Sequence, residues 1–407
     1  MKKRILITGL CLQGNKGGPA IALSLMAQIE KYYPVNFILS VPGDENFENE
    51  KKWAKIYGVD VIIDAPLRPI RSRLFYRIKT WRDMSIWIKA LKSTDLIVDM
   101  TAISYVGPPI GRFRDVVRNR FRYFLTSKLV KRPFIAWTQS YGPLSTASVR
   151  LLAKFDLNFQ PIIFCRGENC RVLVKKLLPK KDVRSFPDVA CVLSYDLIWG
   201  KKYLQEMLNW TTQRIVTISP SAVIYNKTSG VDSMNFHVQQ IVQLCKFLND
   251  QNYTVVLVPH TLRINYPTPK SCDHAVCCLV KENCNDDHVY IVNQDLTPIQ
   301  LKSIIANAHI HVGARYHSLV ASLSAGVPSI SLSWHPKYKD LMNEYQQNHY
   351  VFDAIANSND LSSLFSMFNE IISNYDSTRS QIQECHSVVK DKIEENTRLF
   401  IEIMETI

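Results

Sequence analysis

The stretch His309–Lys337, HIHVGARYHSLVASLSAGVPSISLSWHPK, contains two β-rich runs that flank one short apolar helix. The first run ends at a glycine, and Arg315 and His317 follow in the turn that opens the helix. A glycine and a proline end the helix, and Lys337 follows the second run. Ligands of open α/β sheets bind outside the carboxyl ends of the strands. The pattern therefore predicts a site for a small, multiply charged anion beside a titratable imidazole.

The same alternation of β-rich runs and helical patterns extends over the whole chain. It predicts parallel sheets with helices on both faces. Two halves of similar size follow one another without a long linker, so we expect two domains facing a cleft, 1–195 and 196–407, joined near Tyr195–Thr212. The segment Asp376–Thr406 is predicted to form a long helix that crosses back to the first domain.

The bulk composition is that of a globular protein. The chain has 407 residues, of which 46% are hydrophobic, and no apolar run approaches the roughly 20 residues that span a bilayer. The polar residues and glycines after Leu12 favour a first strand and loop over a signal peptide. We therefore expect a cytoplasmic protein whose ten cysteines are reduced thiols.

The cysteines are densest around His274, but no Cys-x-x-Cys pair occurs there. The members of this group are Cys272, Cys277, Cys278 and Cys284. Ordinary helix or loop cysteines are the favoured interpretation, and a metal site is the alternative.

The net charge of +13 is concentrated in two basic segments with interleaved aromatic residues, 68–82 and 112–132. Three interpretations compete. The segments are solvated helix faces, or a surface for anionic lipid or a lipid-linked diphosphate, or a nucleic-acid surface. The last is the least favoured, because no nucleic-acid-binding motif accompanies the charge.

Three further segments place polar groups where strands end. The loop Gly14–Ala20 joins the first strand to the first helix and is either a ligand-facing loop or an ordinary turn. The segment Thr138–Pro143 either lines a cleft or is a simple loop. Arg166 follows another predicted strand, where it could contact a carboxylate or phosphate with two nitrogens, or form a structural ion pair with Glu168 or Asp188.

Together these segments resemble the polysaccharide pyruvyl transferase family. The pieces occur in the family's order along nearly the whole chain, and the part around His317 is the most specific. The matching residues are Gly14–Ala20, Gln139-Ser140-Tyr141-Gly142-Pro143, Arg166-x-Glu168, Pro187-Asp188, Arg315-Tyr316-His317, Gly326-Val327-Pro328 and Lys337.

The resemblance implies a GT-B-like fold of two Rossmann-like domains, with the acceptor side in 1–195 and the donor side in 196–407. It implies transfer of pyruvate from phosphoenolpyruvate to two hydroxyls of a sugar, which forms a cyclic ketal without a further cofactor or a metal. By position, Arg166, His317 and Lys337 match the family's functional arginine, histidine and lysine, and Arg315 matches the arginine two residues before that histidine.

The resemblance also implies an acceptor from a surface polysaccharide, such as a capsule or exopolysaccharide, assembled on polyprenyl diphosphate. The enzyme would then work at the inner membrane as a peripheral protein, with the basic segments against the membrane surface. The chain departs from the family pattern at Gly18-Pro19 and at Asp99–Ala102, both in loops of the acceptor side. Candidate acceptor or loop contacts are Asn15, Gly17, Asp99, Thr101, Tyr141 and His260.

The proposed chemistry needs these residue types. Phosphoenolpyruvate carries a phosphate and a carboxylate, so several cations must hold it, and His317 is the candidate for proton transfer. One alternative is a GT-B glycosyltransferase that uses a nucleotide sugar. Such enzymes place a ribose-binding acid after the glycine–proline turn, whereas Ser329–Lys339 contains none. The other alternative is a non-catalytic scaffold that binds glycan or membrane.

Overall fold

The computed structural model describes residues 2–42, 47–64, 67–69, 76–78, 81–105, 131–209, 214–263, 267–284, 287–357 and 360–406. These residues form two compact units. The first comprises Met1–Gln13, Ile21–Val189 and Lys392–Ile407, and the second comprises Gly14–Ala20 and Ala190–Asp391. The basic segments 68–82 and 112–132 lie largely outside the described residues, so the interpretations of their charge stay predictions.

The first unit is built on a five-stranded parallel sheet. Its strands in spatial order are β3 (Asp60–Asp64), β2 (Val35–Pro42), β1 (Lys3–Thr8), β6 (Leu96–Asp99) and β8 (Phe134–Ala136). Three short pairs accompany it, namely β4 (Leu67–Pro69) with β5 (Tyr76–Ile78), β7 (Ile103–Ser104) with β9 (Ser140–Tyr141), and β10 (Ile163–Arg166) with β11 (Val183–Phe186). The helices are Gly17–Glu30, which belongs to this unit from Ile21 onwards, Phe47–Tyr57, Trp81–Lys92, Ala147–Leu157 and Glu168–Leu177.

The second unit is built on a six-stranded parallel sheet. Its strands in spatial order are β14 (Val289–Ile291), β13 (Tyr253–Leu257), β12 (Arg214–Ser219), β15 (Ile310–Gly313), β16 (Ser329–Ser333) and β17 (Val351–Asp353). Its helices are Leu197–Leu208, Ala222–Tyr225, Phe236–Asn249, Asp273–Cys284, Pro298–Ile305, Tyr316–Ser324, Lys337–Glu344 and Ser362–Ser373. The order third, second, first, fourth, fifth, sixth is that of a doubly wound Rossmann sheet.

Burial explains why these segments form strands. Every residue of β13, β15 and β16 is buried, as expected where helices cover both faces of a parallel sheet. One core cluster of the second unit packs the helix Pro298–Ile305 and the helix Leu197–Leu208 against residues of β12 and β13. The predicted α/β class with parallel sheets is thus confirmed.

The structure also contains elements that the sequence patterns did not predict. They include β4, β5, β7, β11 and the helices Phe47–Tyr57, Trp81–Lys92, Leu197–Leu208, Ala222–Tyr225 and Ser362–Ser373. The sequence 134–140 is rich in β-forming residues and predicts a single strand, but the structure divides it into β8 and the start of β9. Several of the missed helices bury few positions, as in Phe47–Tyr57, where only three residues are buried. A narrow apolar stripe gives a weak periodic signal.

The predicted domain join, Tyr195–Thr212, contains the helix Leu197–Leu208, which belongs to the second unit. The chain passes between the units at Val189–Ala190 instead, and Gly14–Ala20 also belongs to the second unit. The helix Tyr375–Thr406 contributes to both units, as the first unit takes over at Lys392. Among the described residues, no helix is long and apolar enough to cross a bilayer.

The last turns of the C-terminal helix are core residues of the first unit. Phe400 is fully buried and lies edge-on to Trp137, with ring centroids 5.0 Å apart. Asn396 donates a buried hydrogen bond of 2.7 Å to the hydroxyl of Thr138. The first unit therefore depends on residues from the far end of the chain.

We predict that Phe400→Ala lowers the free energy of unfolding of the first unit by about 3–5 kcal/mol, because it leaves a cavity against Trp137. Chemical denaturation followed by Trp fluorescence measures the change. Glu402→Ala, at an exposed position of the same helix, is the matched control and should change stability by less than about 0.5 kcal/mol. Equal stability of the two variants would contradict the assignment of Phe400 to the core.

Candidate functional site

The second sheet reverses its winding direction between its central strands, β12 and β15. Ser219, the last residue of β12, pairs with Gly313, the last residue of β15. The amide of Ala314 also donates to the carbonyl of Ser219 at 2.9 Å. Ligand crevices of doubly wound sheets lie outside the strand ends at such a reversal. Arg315 and His317, which follow β15, are therefore at the expected position.

Asp273 joins the segments that follow three neighbouring strands. It is fully buried, and its amide donates to the carbonyl of Thr261, after β13, at 2.9 Å. One carboxylate oxygen accepts a hydrogen bond of 2.8 Å from the amide of Ala222, after β12. Both oxygens accept hydrogen bonds from the guanidinium of Arg315, after β15, one of them at 2.7 Å from Nε. Asp273 thus fixes the position of Arg315 relative to the carboxyl ends of the three strands.

Arg315 is held in place by this pair but keeps one side of its guanidinium open. Burial works against its charge, but the carboxylate of Asp273 outweighs burial and raises the pKa of Arg315. Its Nη1 forms no hydrogen bond with any residue that the structure describes, and the side chain is 16% exposed. Arg315 can therefore present one donor to an anion while Asp273 orients it.

A buried histidine supports the turn from below. The Nδ1 atom of His311 lies 2.9 Å from the hydroxyl of Thr217, and its Nε2 lies 3.0 Å from the hydroxyl of Ser318. Ser318 donates to the carbonyl of Arg315 at 2.8 Å, so Nε2 of His311 is the donor to Ser318 and Nδ1 accepts from Thr217. Burial lowers the pKa of His311 to about 3. The ring is therefore a neutral, fixed link beneath the turn.

His317 is the second residue of the helix Tyr316–Ser324, and its ring packs against the backbone of Gly17. A Cβ atom at Gly17 would lie 2.2 Å from Nδ1 of His317. Real Cβ atoms do not approach other atoms so closely, so a side chain at this position would displace the imidazole. Gly17 is needed for this close approach of backbone and ring.

The loop that carries Gly17 is fastened to the second unit. The amide of Lys16 donates to the carbonyl of His260 at 2.9 Å, and Asn15 forms an isolated bridge with Thr261. The side chain of Asn15 accepts a hydrogen bond of 3.1 Å from the amide of Gly17. These contacts hold the loop against His317, and its predicted ligand-facing role stays a prediction.

A small cavity lies beside His317 within the second unit. It offers about 20 Å³ for the centres of water molecules, which is enough for only one or two waters. The predicted residues His260 and His317 both line it. The other lining residues are Lys16, Ala20, Ala190, Leu193, Pro298, Lys302, Val320 and Ala321. Two lysines that the sequence patterns did not single out therefore share the cavity with the two histidines.

The polar groups of the cavity differ in charge. Lys16 is 3% exposed and pairs with Asp295 at 2.6 Å. Burial lowers the pKa of His260 to about 4, so its ring is neutral. Its Nδ1 lies 3.4 Å from the carbonyl of Val258 and from the hydroxyl of Ser219. The cavity thus combines an ion-paired lysine with a neutral imidazole.

Lys337 begins the helix Lys337–Glu344 and lies among aromatic rings. Its ammonium is 5.1 Å from the ring centroid of Tyr316, 5.4 Å from that of Trp334 and 5.5 Å from that of Tyr338. Cation–π contacts of this kind stabilise a charged ammonium. Lys337 does not line the small cavity, so its predicted contact with the donor stays a prediction.

Arg166 lies in the first unit, where its guanidinium is 3% exposed. It donates to Asp188 at 2.7 Å, to the hydroxyl of Ser140 at 3.1 Å and to the carbonyl of Ala102 at 2.8 Å. The ion pair between Arg166 and Asp188, one of the two interpretations of this arginine, is therefore present. Glu168, the other acid considered, pairs with Arg171 instead. The role of Arg166 in binding the donor stays a prediction.

The remaining candidates of the first unit form local structure. The carboxylate of Asp99, at the end of β6, accepts hydrogen bonds from the amide of Thr101 at 3.0 Å and from its hydroxyl at 2.7 Å. Both residues pack against the backbone of Gly9, after β1. Tyr141 is 4% exposed in a core cluster with Tyr105. Asp99 and Thr101 thus lie where the first sheet reverses, whereas Tyr141 contributes to the core.

The cysteine group around His274 is divided between core and surface positions. Cys277 is fully buried, and burial raises the pKa of its thiol. The sulfur of Cys278 lies 3.7 Å from Nδ1 of His274. Within the described ranges, no three His, Cys, Asp or Glu side chains are grouped closely enough to hold a metal ion.

Three features of the site were beyond the sequence patterns. Asp273 looks like an ordinary first residue of a helix, and its bond to Arg315 joins positions 42 apart in the chain. Lys302 is a single lysine among apolar helix positions. His311 is an inward-facing residue of a short strand. Lys16, by contrast, could be recognised from the sequence as a candidate site residue, because it stands between glycines at the start of a helix.

The chain is similar to a known family in sequence and to known structures in fold. The family model for polysaccharide pyruvyl transferase matches residues 15–336. No curated protein matches the chain at the level of sequence.

Solved structures share the fold over nearly the whole chain. UDP-GlcNAc 2-epimerase from Neisseria meningitidis has a TM-score of 0.60 at 11% identity, with 100% of both chains covered. A glycosyltransferase from Rickettsia africae has a TM-score of 0.57 at 10% identity, covering 100% of this chain and 98% of its own. A putative UDP-N-acetylglucosamine 2-epimerase from Listeria monocytogenes has a TM-score of 0.55 at 11% identity, covering 94% of this chain and 91% of its own. These similarities confirm the predicted GT-B-like fold of two Rossmann-like domains.

We predict that Asp273→Asn lowers the free energy of unfolding of the second unit by about 3–5 kcal/mol, because it leaves the Arg315 charge without its buried partner. Urea denaturation measures the loss. Glu168→Gln is the matched control, since Glu168 also binds an arginine with both oxygens but is 61% exposed. It should cost no more than about 1 kcal/mol. Similar losses for both variants would contradict the anchoring role of Asp273.

Proposed function

Because the chain belongs to the polysaccharide pyruvyl transferase family, we propose that it transfers pyruvate from phosphoenolpyruvate to two hydroxyls of a sugar and so forms a cyclic ketal. The observation that carries this proposal is the position of His317. It stands at the reversal point of the second sheet, two residues after Arg315, in a cavity that it shares with Lys16 and Lys302.

The charges around this cavity suit the proposed donor. Phosphoenolpyruvate has a phosphate and a carboxylate on one small frame, and each needs cationic or N–H partners in a buried site. Arg315 offers Nη1, and the lysines add positive charge. The first amides of the helix Tyr316–Ser324 add partial positive charge from the same side. These groups supply what the donor requires.

The proposed reaction proceeds by addition to C2 of the donor. A proton is added to the methylene carbon, which becomes a methyl group, and the oxygen of one sugar hydroxyl bonds to C2 as its O–H bond breaks and its proton is released. The bond between C2 and the phosphate oxygen then breaks, and phosphate leaves with the electron pair. The second hydroxyl oxygen bonds to C2 and its proton is released, so that a ketal and inorganic phosphate are the products.

In this reaction His317 transfers protons between the hydroxyls and the donor. Gly17 on one side and the helix turn on the other hold its ring, so that its nitrogen has a defined direction. The fixed cations stabilise the negative charge that develops on the leaving phosphate, and they need not reorient during the reaction. Arg166 and Lys337 complete the proposed donor-binding set by their match to the family.

The loop Gly14–Ala20 borders the cavity through Lys16 and Ala20. Its side-chain anchor is the ion pair of Lys16 with Asp295, and an anionic donor would compete with Asp295 for that lysine.

For the acceptor we propose a sugar of a surface polysaccharide precursor, such as a capsule or exopolysaccharide, carried on polyprenyl diphosphate at the inner membrane. Asp99 and Thr101, at the reversal point of the first sheet, are the candidate acceptor contacts best supported by their position. The basic segments 68–82 and 112–132 are the proposed contact with the membrane, and the protein would be cytoplasmic and peripheral.

A direct assay tests this function. The protein is incubated with phosphoenolpyruvate and a panel of galactosides and mannosides, and phosphate release is followed together with the product mass. The proposal predicts phosphate release that depends on the sugar and a product bearing a ketal. Heat protection by a nucleotide sugar but not by phosphoenolpyruvate would favour a glycosyltransferase instead.

We predict that His317→Ala lowers kcat by about 10²–10⁴-fold, because it removes the group that transfers protons. His274→Ala, which changes a histidine outside the cavity lining, is the control and should retain activity. Initial rates of phosphate release at saturating donor give the comparison. A His317→Ala enzyme with full kcat would exclude the role assigned to this residue.

We predict that Gly17→Ala lowers kcat by about 10²-fold, because the added methyl group displaces the His317 ring from its working position. Gly58→Ala is the control, since its methyl group would meet no atom within 4 Å. The positive φ of Gly58 (+67°) makes alanine strained and costs some stability, but kcat should be unchanged. Circular dichroism of both variants shows whether they are folded. Normal turnover by folded Gly17→Ala would contradict the proposed contact.

A further inference from the structure

Lys302 is a buried lysine that the proposed reaction has not used. It lies in the helix Pro298–Ile305, which begins with a complete capping box formed by Thr297 and Gln300. The residue is 2% exposed, and its side chain lines the same cavity as His317. Its backbone is therefore rigid, and its ammonium is inside the molecule beside the candidate proton-transfer group.

The ammonium of Lys302 has neutral partners. It donates to the carbonyls of Cys191 at 3.2 Å and Leu193 at 2.8 Å, and it lies 5.1 Å from the ring centroid of Tyr195. Within the part of the chain that the structure describes, no carboxylate forms an ion pair with it. An ammonium has three N–H donors, so one donor remains beyond the two carbonyl bonds.

A buried lysine without a carboxylate is costly to keep charged. Lys16, the other lysine of the cavity, has Asp295 as its partner, so the two lysines differ in this respect. A site that buries a cation without an anion in the empty state is suited to receive the anion from a ligand. The cavity beside the ammonium is where that ligand would be.

We propose that Lys302 binds an oxyanion of the donor in the cavity that it shares with His317. This inference rests on the proposed function in taking phosphoenolpyruvate as the donor, but the chemistry is that of any small phosphate or carboxylate. Lys302 would add a cation to the set that the family resemblance supplies. It would also place that cation next to the group that moves protons.

The charge state of Lys302 follows from its surroundings. Burial, the largest influence, lowers its pKa to about 7. The titratable and charged groups that face it are Cys191, Tyr195, His386 and Lys390, together with Lys16, His260 and His317 around the cavity. Among them the thiol of Cys191 raises the pKa of Lys302, but none is a carboxylate, and a bound anion would raise this pKa further.

Proton uptake is therefore expected on anion binding. At pH 8 the empty site holds Lys302 mainly in its neutral form, because pH is above the lowered pKa. An anion that raises this pKa above 8 draws a proton from solution. At pH 6 the lysine is already charged, so little further uptake occurs.

A purely structural role would be to hold the carbonyls of Cys191 and Leu193. Lys302→Gln separates the two roles, because an amide still donates two N–H groups but carries no charge. Lys201→Gln is the matched control, since it removes the same charge from an exposed position of the helix Leu197–Leu208. Urea denaturation of both variants shows whether the fold is retained.

Isothermal titration of phosphoenolpyruvate and, separately, inorganic phosphate tests the proposal in two buffers of different ionisation enthalpy. Wild type and Lys201→Gln should take up a proton at pH 8 and much less at pH 6. Lys302→Gln should bind both anions at least about tenfold more weakly, without that uptake. If it loses the carbonyl contacts and unfolds, Lys302→Arg, which keeps the charge at all pH values, should bind with no uptake at either pH.

The outcomes separate this inference from the proposed function. Phosphate binding that depends on Lys302, in a protein that transfers no pyruvate, would support the oxyanion site and refute the transferase. Pyruvyl transfer by Lys302→Gln with wild-type donor affinity and proton uptake would refute the oxyanion site alone. A wild-type protein that binds neither anion would also overturn the site.

Discussion

The bonds of Asp273 are the constraint on which the candidate site depends. This one carboxylate holds the segment after β12 through Ala222 and the turn after β15 through Arg315, while its amide holds the segment after β13 through Thr261. Three strand ends are thus fixed at the point where the sheet reverses. A doubly wound sheet provides a crevice there by topology alone, and Asp273 gives that crevice a defined wall.

Arg166 and Arg315, the two arginines proposed to bind the donor, have similar surroundings in their separate units. Arg166 follows β10 and is bonded to Asp188, while Arg315 follows β15 and is bonded to Asp273. In both cases a buried acid orients the guanidinium, at a desolvation cost that good hydrogen-bond geometry must offset. The two arginines differ in the guanidinium nitrogens that remain without a hydrogen bond to a described residue. The three nitrogens of Arg166 are all engaged within its unit, whereas Nη1 of Arg315 has no hydrogen bond to a described residue.

The sequence predicted the general architecture and the most specific part of the site. The alternation of runs around His309–Lys337 was sufficient for β15, the following helix and β16, because hydrophobic pattern and glycine–proline punctuation agree there. Asp273 and Lys302 were not predictable, since their roles come from contacts with residues far away in the chain. The helix Leu197–Leu208 lies inside the predicted join Tyr195–Thr212 and was not predicted, because it buries few positions.

The C-terminal helix has a consequence for the order in which the protein can be completed during synthesis. Its last turns, from Lys392 onwards, belong to the first unit, and they fill that unit's core with Phe400 and Met404. A ribosome makes these residues after all the other residues of both units, so the half of the molecule that emerges first has to wait for them to complete its core. Until then its hydrophobic surface around Trp137 is uncovered. We therefore expect the first half of the nascent chain to need a chaperone that shields this surface more than the second half does.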